Sequence, residues 1–495
     1  MAGALAVATL LFYVATSHGY GYFRDELYYL ACNAHLAAGY VDHPPLLEVL
    51  LIPVRAVLGD GLPAIRLLPA LAAAATVLVT ARLVRQLGGG RGALLTALAG
   101  VMTAPLYVGM FSILTPNALE MVFWAIALLL VVRILDGDSP RLWLALGAVV
   151  GIGFLDKHGV VFLVIGLAAG VVATPARRHL ATRWPWLGLA IAAVLAAPHL
   201  VWQAMHGWPT LEFTANARAL KNLPQSPLGF VAEQVMVLDP FAAPIWIAGL
   251  VSLWRRDEGR YRALVWAYLV ILALMIAGRG KAYYIGPYYQ LLFAAGGAAF
   301  ERAAQHRRLA YVVPVAATVA GVAGMPMAKP LLAAERLVAY QRAIGLDPRL
   351  GSGERNELGV LPQHFADQFG WPELAARVAE VHRGLPPDER ARACIYASNY
   401  GEAGAIDFFG PALGLPHAIS GHNTYWWWGP HDCDFSTVIV LGLTPADLRG
   451  ISRSVEVAAE IDCPYCMPFE RRPILIARGP LLPPDEIWRR VRFYL

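Results

Sequence analysis

Acidic residues mark the starts of two short helical segments near the beginning of the chain. Asp25 and Glu26 follow Arg24 where one segment begins, and Asp42 precedes His43 where the next begins. One carboxylate can take a proton from a hydroxyl group, and another can hold a cation or orient a substrate. Helix N-capping is the alternative interpretation of each carboxylate alone. We predict general-base chemistry here, with Asp25 as the base, Glu26 as an orienting group and Asp42 as a positioning group.

Basic residues in two short turns could supply a complementary charge. Only four of the 40 basic residues are lysines, and Lys157 and Lys281 each fall in a tight turn between apolar blocks. Arg279 stands two residues before Lys281. Such cations could stabilise a phosphate leaving group at a membrane surface. Snorkelling of the amino groups to the membrane interface is the alternative.

The composition indicates the elements that must position these groups. Of the 495 residues, 57% are hydrophobic and 15% are charged, whereas a soluble domain carries about 25% charged residues. The pattern excludes a disordered, collagenous or small disulfide-rich protein and predicts a polytopic α-helical membrane protein. About eleven blocks have roughly spanning length. They cover residues 1–17, 64–87, 92–111, 117–135, 142–156, 159–174, 187–205, 240–254, 262–278, 283–300 and 308–325.

Positive charge predicts the orientation of these blocks, because cytoplasmic loops are enriched in arginine and lysine. With a cytoplasmic N-terminus, every basic cluster between helices falls on the cytoplasmic side. The clusters contain Arg82, Arg85, Arg91, Arg133, Arg141, Arg177, Arg178, Arg183, Arg255, Arg256, Arg260, Arg262, Arg302, Arg307 and Arg308. Two long loops, at 18–63 and 206–239, and the tail then lie outside. Both helical segments of the first loop should lie along the membrane interface.

The tail differs from the rest of the chain in composition. Residues 326–495 hold 17 basic and 20 acidic residues, against 23 and 15 in residues 1–325. Two short β-branched runs, Cys394–Tyr396 and Thr437–Val440, alternate with helical patterns there. We predict a membrane domain over 1–325 and an extracytoplasmic mixed α/β domain over 326–495.

The first loop carries a family resemblance. The stretches Asp25–Leu30 and Gly39–Leu46, with Ala397–Asp407 and Ser420–Asn423 in the tail, resemble the dolichyl-phosphate-mannose protein mannosyltransferase-like family. Its members have the GT-C glycosyltransferase fold and are similar to bacterial aminoarabinose transferases of lipid A. The resemblance extends over nearly the whole chain.

The resemblance implies an inverting glycosyltransferase in the bacterial cytoplasmic membrane. The donor would be a sugar on a polyprenyl phosphate, and the acceptor an extracytoplasmic glycolipid, polysaccharide or protein. Asp25 matches the family base, Asp42 its second acidic position, and Lys157 a position that contacts the donor phosphate. His43 stands where aminoarabinose transferases carry a lysine for the donor phosphate, which places it in the predicted phosphate site with Lys157, Lys281 and Arg279, although a neutral histidine would be no counter-ion. Arg24 would join the phosphate site, and we expect no nucleic-acid partner.

Aromatic and polar residues could bind the acceptor or the sugar. Tyr28 and Tyr283 lie beside the predicted acidic and basic groups, and His422, Asn423 and Trp426 belong to an aromatic segment of the tail. Stacking on a sugar ring and docking on the membrane are the two interpretations of its three adjacent tryptophans.

Metal binding and cysteine pairing are left open by the sequence. No cofactor is firmly indicated, but Asp25, Asp42 and His206 could hold a divalent metal ion. The four cysteines of the tail allow three full pairings. A structural disulfide is favoured over a zinc knuckle at Cys463 and Cys466.

Two other functional classes fit a protein of this kind. A transporter or flippase of lipid-linked sugars would suit eleven helices, although no inverted repeat is visible. A non-catalytic protein of envelope assembly is the other alternative.

Overall fold

A computed structural model of the chain describes residues 1–304, 308–345 and 355–495. Helices dominate the first 324 residues, because a lipid-facing segment must satisfy its own backbone hydrogen bonds. They are α1 Ala2–Ala15, α2 Arg24–Ala34, α3 Leu46–Leu58, α4 Leu62–Ile65, α5 Leu67–Gln86, α6 Arg91–Val101, α7 Pro105–Met110, α8 Pro116–Leu135, α9 Leu142–Asp156, α10 Val160–Val172, α11 Arg183–Met205, α12 Pro209–Asn216, α13 Pro227–Val237, α14 Ala243–Arg255, α15 Arg262–Gly278, α16 Tyr289–Ala304 and α17 Val312–Gly324.

Each predicted apolar block coincides with a helix, but the helices differ in length. Within the described residues, three are long and apolar enough to cross a membrane: Leu62–Gln86, Pro116–Leu135 and Arg183–Met205. The number rises to five if two bent helix pairs each form one span. Five more apolar helices have 10–17 residues. The count of eleven spans therefore stays a prediction.

Polar connections of the bundle meet at one end. Asp136, which follows α8, accepts hydrogen bonds from Gln86 at 2.7 Å and Tyr261 at 2.5 Å, and Arg260 approaches it at 3.5 Å. Three of the arginine-bearing connections, those after α5, α8 and α14, are thereby gathered together. The opposite end of α8 lies about 30 Å away, given the rise of a 20-residue helix. Arg307 lies outside the described residues.

Close packing in the bundle depends on glycine where α9 meets α11. A Cβ atom at Gly147 would collide with the backbone of Gly188, and one at Gly188 would collide with the backbone of Trp143. Small residues at such crossings allow two backbones to approach closely within a membrane. The two helices consequently form a tight pair that carries Lys157 just after the end of α9.

The tail contains seven helices and a five-stranded sheet. They are α18 Ala334–Ala343, α19 Gln363–Ala366, α20 Trp371–Gly384, α21 Pro387–Arg390, β1 Cys394–Ala397, α22 Tyr400–Phe409, β2 Ala418–Ile419, α23 Tyr425–Trp428, β3 Thr437–Leu441, β4 Ser452–Ala459, β5 Ile474–Pro480 and α24 Pro484–Arg490. The strand order is β2-β1-β3-β5-β4. β1 is parallel to β2 and β3, whereas β5 is antiparallel to β3 and β4. Both β-branched runs noted in the sequence form strands, β1 and β3.

The first loop and the tail share one hydrophobic core. Leu27 of α2 and Leu47 of α3 belong to the same buried cluster as Trp371, Ile406 and Ile439 of the tail. Helix α2 packs directly on α22, where a Cβ atom at Gly404 would press on the backbone of Leu27. The tail is therefore packed firmly against the loop that carries the predicted base.

Disulfide bonds constrain the tail at two places. Cys394 at the start of β1 is bonded to Cys433, and Cys463 is bonded to Cys466. Cys32 in α2 is a buried free thiol. The favoured disulfide interpretation thus agrees with the structure, which pairs Cys463 with Cys466 where a zinc knuckle was the alternative.

Candidate active site

The carboxylate of Asp25 lies in the first turn of α2 and keeps part of its surface open. Its side chain is 30% exposed, and its Oδ1 atom accepts a hydrogen bond of 2.9 Å from the hydroxyl of Tyr400. Arg24 donates to that hydroxyl at 3.3 Å and lies 3.8 Å from Asp25 Oδ1. Asp25 makes no side-chain cap, so the capping interpretation does not apply to it. The group is oriented by the tail yet accessible to a reactant.

Glu26, the next residue, is fully buried and occupied by protein donors. Its carboxylate accepts hydrogen bonds of 2.8 and 2.7 Å from Arg66, one from the Phe23 amide and one from the Leu114 amide. Arg66 also donates to the carbonyl of Ser17. Glu26 therefore caps α2 and joins it to α1 and α5. The predicted orienting function of Glu26 would act through this framework and not by contact with a substrate.

Asp42 and His43 form a second acidic centre with Glu48. His43 Nδ1 lies 3.2 Å from Asp42, its Nε2 lies 2.7 Å from Glu48, and the hydroxyl of Tyr28 donates to Asp42 at 2.8 Å. The Thr424 hydroxyl lies 2.7 Å from the same Tyr28 oxygen and donates to it, because the single Tyr28 proton is used for Asp42. The side chain of Asp42 does not cap α3, just as that of Asp25 does not cap α2.

Electrostatics hold this centre in ionised form. Burial opposes the charge of His43, but Glu48 and Asp42 outweigh it and raise the pKa of His43 well above its usual value. Burial would raise the pKa of Asp42, but His43 and the hydrogen bond from Tyr28 lower it overall. His43 is thus a cation, not the neutral ring expected from the sequence. Its charge is matched by the carboxylates of Asp42 and Glu48, and its predicted function in phosphate binding stays a prediction.

Lys157 anchors the basic side of the site at the end of α9. Its amino group donates to the side-chain oxygen of Asn117 and, at 2.9 Å, to Glu120, both on α8. The rings of Tyr283 and Tyr284 lie 5.5 and 5.0 Å from that amino group. The side chain is 22% exposed. Lys157 is therefore held in place and still open on one side.

The second predicted lysine lies in the same neighbourhood. Lys281 Nζ is 5.9 Å from the ring of Tyr283, the same ring that Lys157 approaches. Arg279 has a left-handed backbone, an exposed side chain and a carbonyl that accepts a hydrogen bond from Asn222. Lys157 and Lys281 thus approach the same aromatic ring, and their function in phosphate binding stays a prediction, as does that of Arg279.

Buried carboxylates connect the acidic and basic sides. Asp156, which precedes Lys157, has electrostatic interactions with Glu120, Glu48 and His43, and neither of its buried oxygens has a hydrogen-bond partner within the described residues. The acidic centre of the first loop and Lys157 therefore lie at the same end of the bundle. This end is opposite the one that carries Asp136.

The predicted sugar-binding residues of the tail are committed to protein contacts. His422 Nε2 donates to the carbonyl of Leu495 at 2.8 Å and its Nδ1 accepts from the Tyr400 amide. Asn423 is fully buried and bonds the Leu495 backbone, and Trp426 Nε1 donates to Trp488. These contacts tie the three side chains to other parts of the tail, and the ring of His422 also helps to hold Tyr400.

The neighbouring tryptophans dock the tail on both long loops. Trp427 meets the ring of His206 at 4.7 Å, and Trp428 stacks on His35 of the first loop at 4.2 Å. Arg492 of the tail pairs with Glu212 of the second loop at 2.9 Å. Docking within the protein is therefore a third use of the aromatic segment, which the sequence did not indicate.

A metal site from Asp25, Asp42 and His206 finds no support in the geometry. His206 stacks on Trp202 at 4.1 Å and its Nδ1 bonds the Trp202 carbonyl, away from both carboxylates. Across the described ranges, no three His, Cys, Asp or Glu side chains are grouped as metal ligands. No step below uses a metal ion.

Several functional neighbours were missed from the sequence. Tyr400, Thr424 and Glu48 contact the predicted groups but carry no local signal, since they come from distant or ordinary-looking segments. Glu120 did carry one, because an ionisable residue inside an apolar block is functional by default. Arg66 is likewise an ionisable residue inside an apolar block, and it anchors Glu26.

Comparison with solved structures identifies the fold class of the chain. ArnT from Cupriavidus metallidurans bound to undecaprenyl phosphate superposes with a TM-score of 0.63 at 15% identity, covering 96% of this chain and 99% of that one. The apo form of that protein gives the same TM-score at 16% identity. The GT-C membrane fold expected from the sequence is thus confirmed.

The family resemblance is confirmed as well. Residues 42–202 match the family model described as dolichyl-phosphate-mannose-protein mannosyltransferase. Lipid A galacturonosyltransferase RgtD of Rhizobium johnstonii is 30% identical over 275 residues, which are 53% of this chain. The chain spans 56% of the length of that relative.

Proposed function

We propose that the chain is an inverting glycosyltransferase that moves a sugar from a polyprenyl-phosphate carrier to an extracytoplasmic acceptor. Three likenesses support this: the mannosyltransferase family match, the galacturonosyltransferase RgtD, and the fold shared with an undecaprenyl phosphate-bound ArnT. The acceptor would be a glycolipid, polysaccharide or protein of the cell envelope. The observation that carries the proposal is the partly open Asp25 carboxylate, oriented by Tyr400 at the end of the bundle that holds Lys157.

In the proposed reaction Asp25 removes the proton from the acceptor hydroxyl. The acceptor oxygen forms a bond to the anomeric carbon as the bond from that carbon to the phosphate oxygen breaks. The phosphate leaves with the electron pair, and attack from the opposite face inverts the anomeric centre. Because the transition state resembles an oxocarbenium ion, the negative charge grows mainly on the leaving phosphate.

The leaving phosphate would be stabilised by the cations beside Tyr283. Lys157 is preorganised by Asn117 and Glu120, and such fixed donors stabilise developing charge most effectively in a partly dehydrated site. Lys281 would provide a second charge near the Tyr283 ring. Arg24 lies on the acidic side, where its contact with Asp25 suits orientation of the base and not phosphate binding.

The proposed location is the bacterial cytoplasmic membrane, with the site and residues 326–495 outside the cytoplasm. The gathering of arginine-bearing connections at the opposite end of the bundle supports this orientation, since cytoplasmic loops carry the excess of arginine. A cysteine introduced at Glu258 should resist membrane-impermeant thiol reagents in intact cells, and one at exposed Arg453 should react. Reaction of the Glu258 cysteine alone would reverse the orientation.

The activity is tested with Asp25→Asn in a strain lacking the native gene. Mass spectrometry of envelope glycolipids and glycoproteins first identifies the product that the strain lacks. With that acceptor, Asp25→Asn should lower kcat by about 10²–10⁴-fold, the usual contribution of a general base. Undecaprenyl phosphate binding should survive the substitution. An unaltered kcat would exclude Asp25 as the base.

Asp138→Asn is the matched control, because Asp138 pairs with Arg133 on the surface at the other end of α8. It should leave sugar transfer unchanged. A transporter or a non-catalytic assembly protein would show little effect of either substitution, so the pair of variants separates these classes from the enzyme.

A further inference from the structure

A groove opens between α14 and α16 at the arginine-bearing end of the bundle. Its volume is about 420 Å³, within the range of about 300–1,000 Å³ for small-molecule sites. Ala248 and Val251 of α14 and Ala299, Phe300 and Ala303 of α16 form its apolar walls. The three alanines leave space beside the Phe300 ring. The groove is distant from the candidate active site, which lies at the other end of the bundle.

Arginines line the polar part of this groove. Arg255 and Arg302 belong to its lining, and both side chains are exposed. Arg302 donates a hydrogen bond of 3.2 Å to Ser252, a further lining residue. Within the described residues, no carboxylate forms an ion pair with Arg255 or Arg302. The one adjacent pair joins Arg256 to Asp257 at 3.0 Å.

The charges around the groove are therefore not balanced by the protein. Arg256 is close enough to repel Arg302, and Asp257 and Glu301 are the carboxylates among the described residues that offset this repulsion. Glu301 is partly engaged elsewhere, because its carboxylate accepts hydrogen bonds from the amides of Gly90 and Gly92. A site with surplus positive charge above an apolar trough is complementary to an anion that carries a hydrocarbon chain.

We propose that this groove binds one anionic phospholipid, with an acyl chain along the alanine walls and Phe300 and the phosphate between Arg255 and Arg302. Helix ends rich in arginine at a membrane–water boundary suit lipid phosphates, and Ser252 offers a hydroxyl donor at the same depth. A zwitterionic lipid fits less well, because its own cation would meet the arginine cluster. The lipid would hold α14 and α16 together at the end where α15 begins.

The test measures lipid retention by the purified full-length chain. Native mass spectrometry after titration with dioleoyl phosphatidylglycerol should show one retained lipid, and dioleoyl phosphatidylcholine should be retained far less. The double variant Arg255→Gln/Arg302→Gln should weaken binding by about 25-fold, at about fivefold for each arginine. The matched control Arg177→Gln/Arg178→Gln removes two exposed arginines from the segment that follows α10, outside the groove, and should not weaken it.

Two further measurements test whether the apolar part of the groove contributes to lipid binding together with the arginines. Ala303→Phe fills the groove at an exposed position and should reduce retention without altering the arginines. Free sn-glycerol 1-phosphate should not compete, because it lacks the chain. Equal retention of the two lipids, equal loss in both double variants, no effect of Ala303→Phe, or competition by sn-glycerol 1-phosphate would each overturn the proposal.

Discussion

The acidic and basic sides of the candidate site are built in different ways. Asp25 and Asp42 belong to a long loop, and their hydrogen-bond partners Tyr400 and Tyr28 are fixed by the tail. Lys157 belongs to a short turn, and its partners come from α8 within the helical bundle. The proposed base thus depends on long-range packing, whereas the proposed phosphate site depends on the bundle alone. Changes in the tail should disturb proton transfer before they disturb donor binding.

The buried Glu26–Arg66 pair gives the largest expected effect on stability. Glu26→Gln leaves the Arg66 charge buried without its carboxylate, a change that typically costs about 3–5 kcal/mol. Thermal unfolding of the purified protein should show the loss. Asp60→Asn is the control in the same loop, since its pair with Arg55 is exposed and should contribute less than about 1 kcal/mol. Equal effects of the two variants would show that Glu26 is not the anchor of α2.

Lys157→Met should distinguish the contribution of the basic side of the site from that of the acidic side. Loss of one preorganised donor to a developing charge costs about 10²–10³ in kcat. Binding of undecaprenyl phosphate should also weaken, which Asp25→Asn should not cause. Lys281→Met should have a smaller effect, because Lys157 is the lysine that Asn117 and Glu120 preorganise. A larger effect of Lys281→Met would make Lys281 the principal phosphate ligand.

The His422 ring should make the tail sensitive to acid. Burial lowers the pKa of His422 to about 4, below the value near 6.5 of an unfolded histidine. The neutral His422 ring therefore contributes its full stabilisation of the folded state above about pH 6.5. This stabilisation is lost as the pH falls towards 4. The loss should reach about 3 kcal/mol over this interval. His422→Gln should flatten this part of the pH dependence, and an unaltered profile would contradict the prediction.

The Tyr400→Phe variant tests the single hydrogen bond that connects the tail to the proposed base. The variant removes one hydrogen bond to Asp25 and preserves the ring that stacks on Tyr28 at 4.7 Å. We expect kcat to fall about tenfold, equivalent to about 1.4 kcal/mol. Binding of undecaprenyl phosphate should stay unchanged. A parallel loss of donor binding would show that the two sides of the site are not built separately.

Patterns local in sequence predicted much of the fold. The apolar blocks coincide with helices, and both helical segments of the first loop form, at Arg24–Ala34 and Leu46–Leu58. The β-branched runs became β1 and β3. Span number was less predictable, because several helices are shorter than a bilayer and two pairs are bent.

Contacts between distant residues explain what the sequence did not reveal about the site. His43 was expected to be neutral, but Glu48 and Asp42 make it a cation, and the sequence does not show that all three meet. Trp426 and its neighbours have a composition suited to a sugar platform. Their contacts in docking join positions about 200 and 400 residues apart in the chain. No local sequence pattern indicates such contacts.

The hydrogen bond from Tyr400 to Asp25 joins residues separated by 375 positions. In the proposed orientation, Asp25 would cross the membrane early in synthesis, whereas Tyr400 would follow only after the helices up to α17. The nascent chain therefore carries a carboxylate without its orienting group, and the supporting bonds from His422 to Leu495 form later still. Because loss of this hydrogen bond should lower kcat about tenfold, an incomplete copy should transfer sugar about tenfold more slowly than the finished protein.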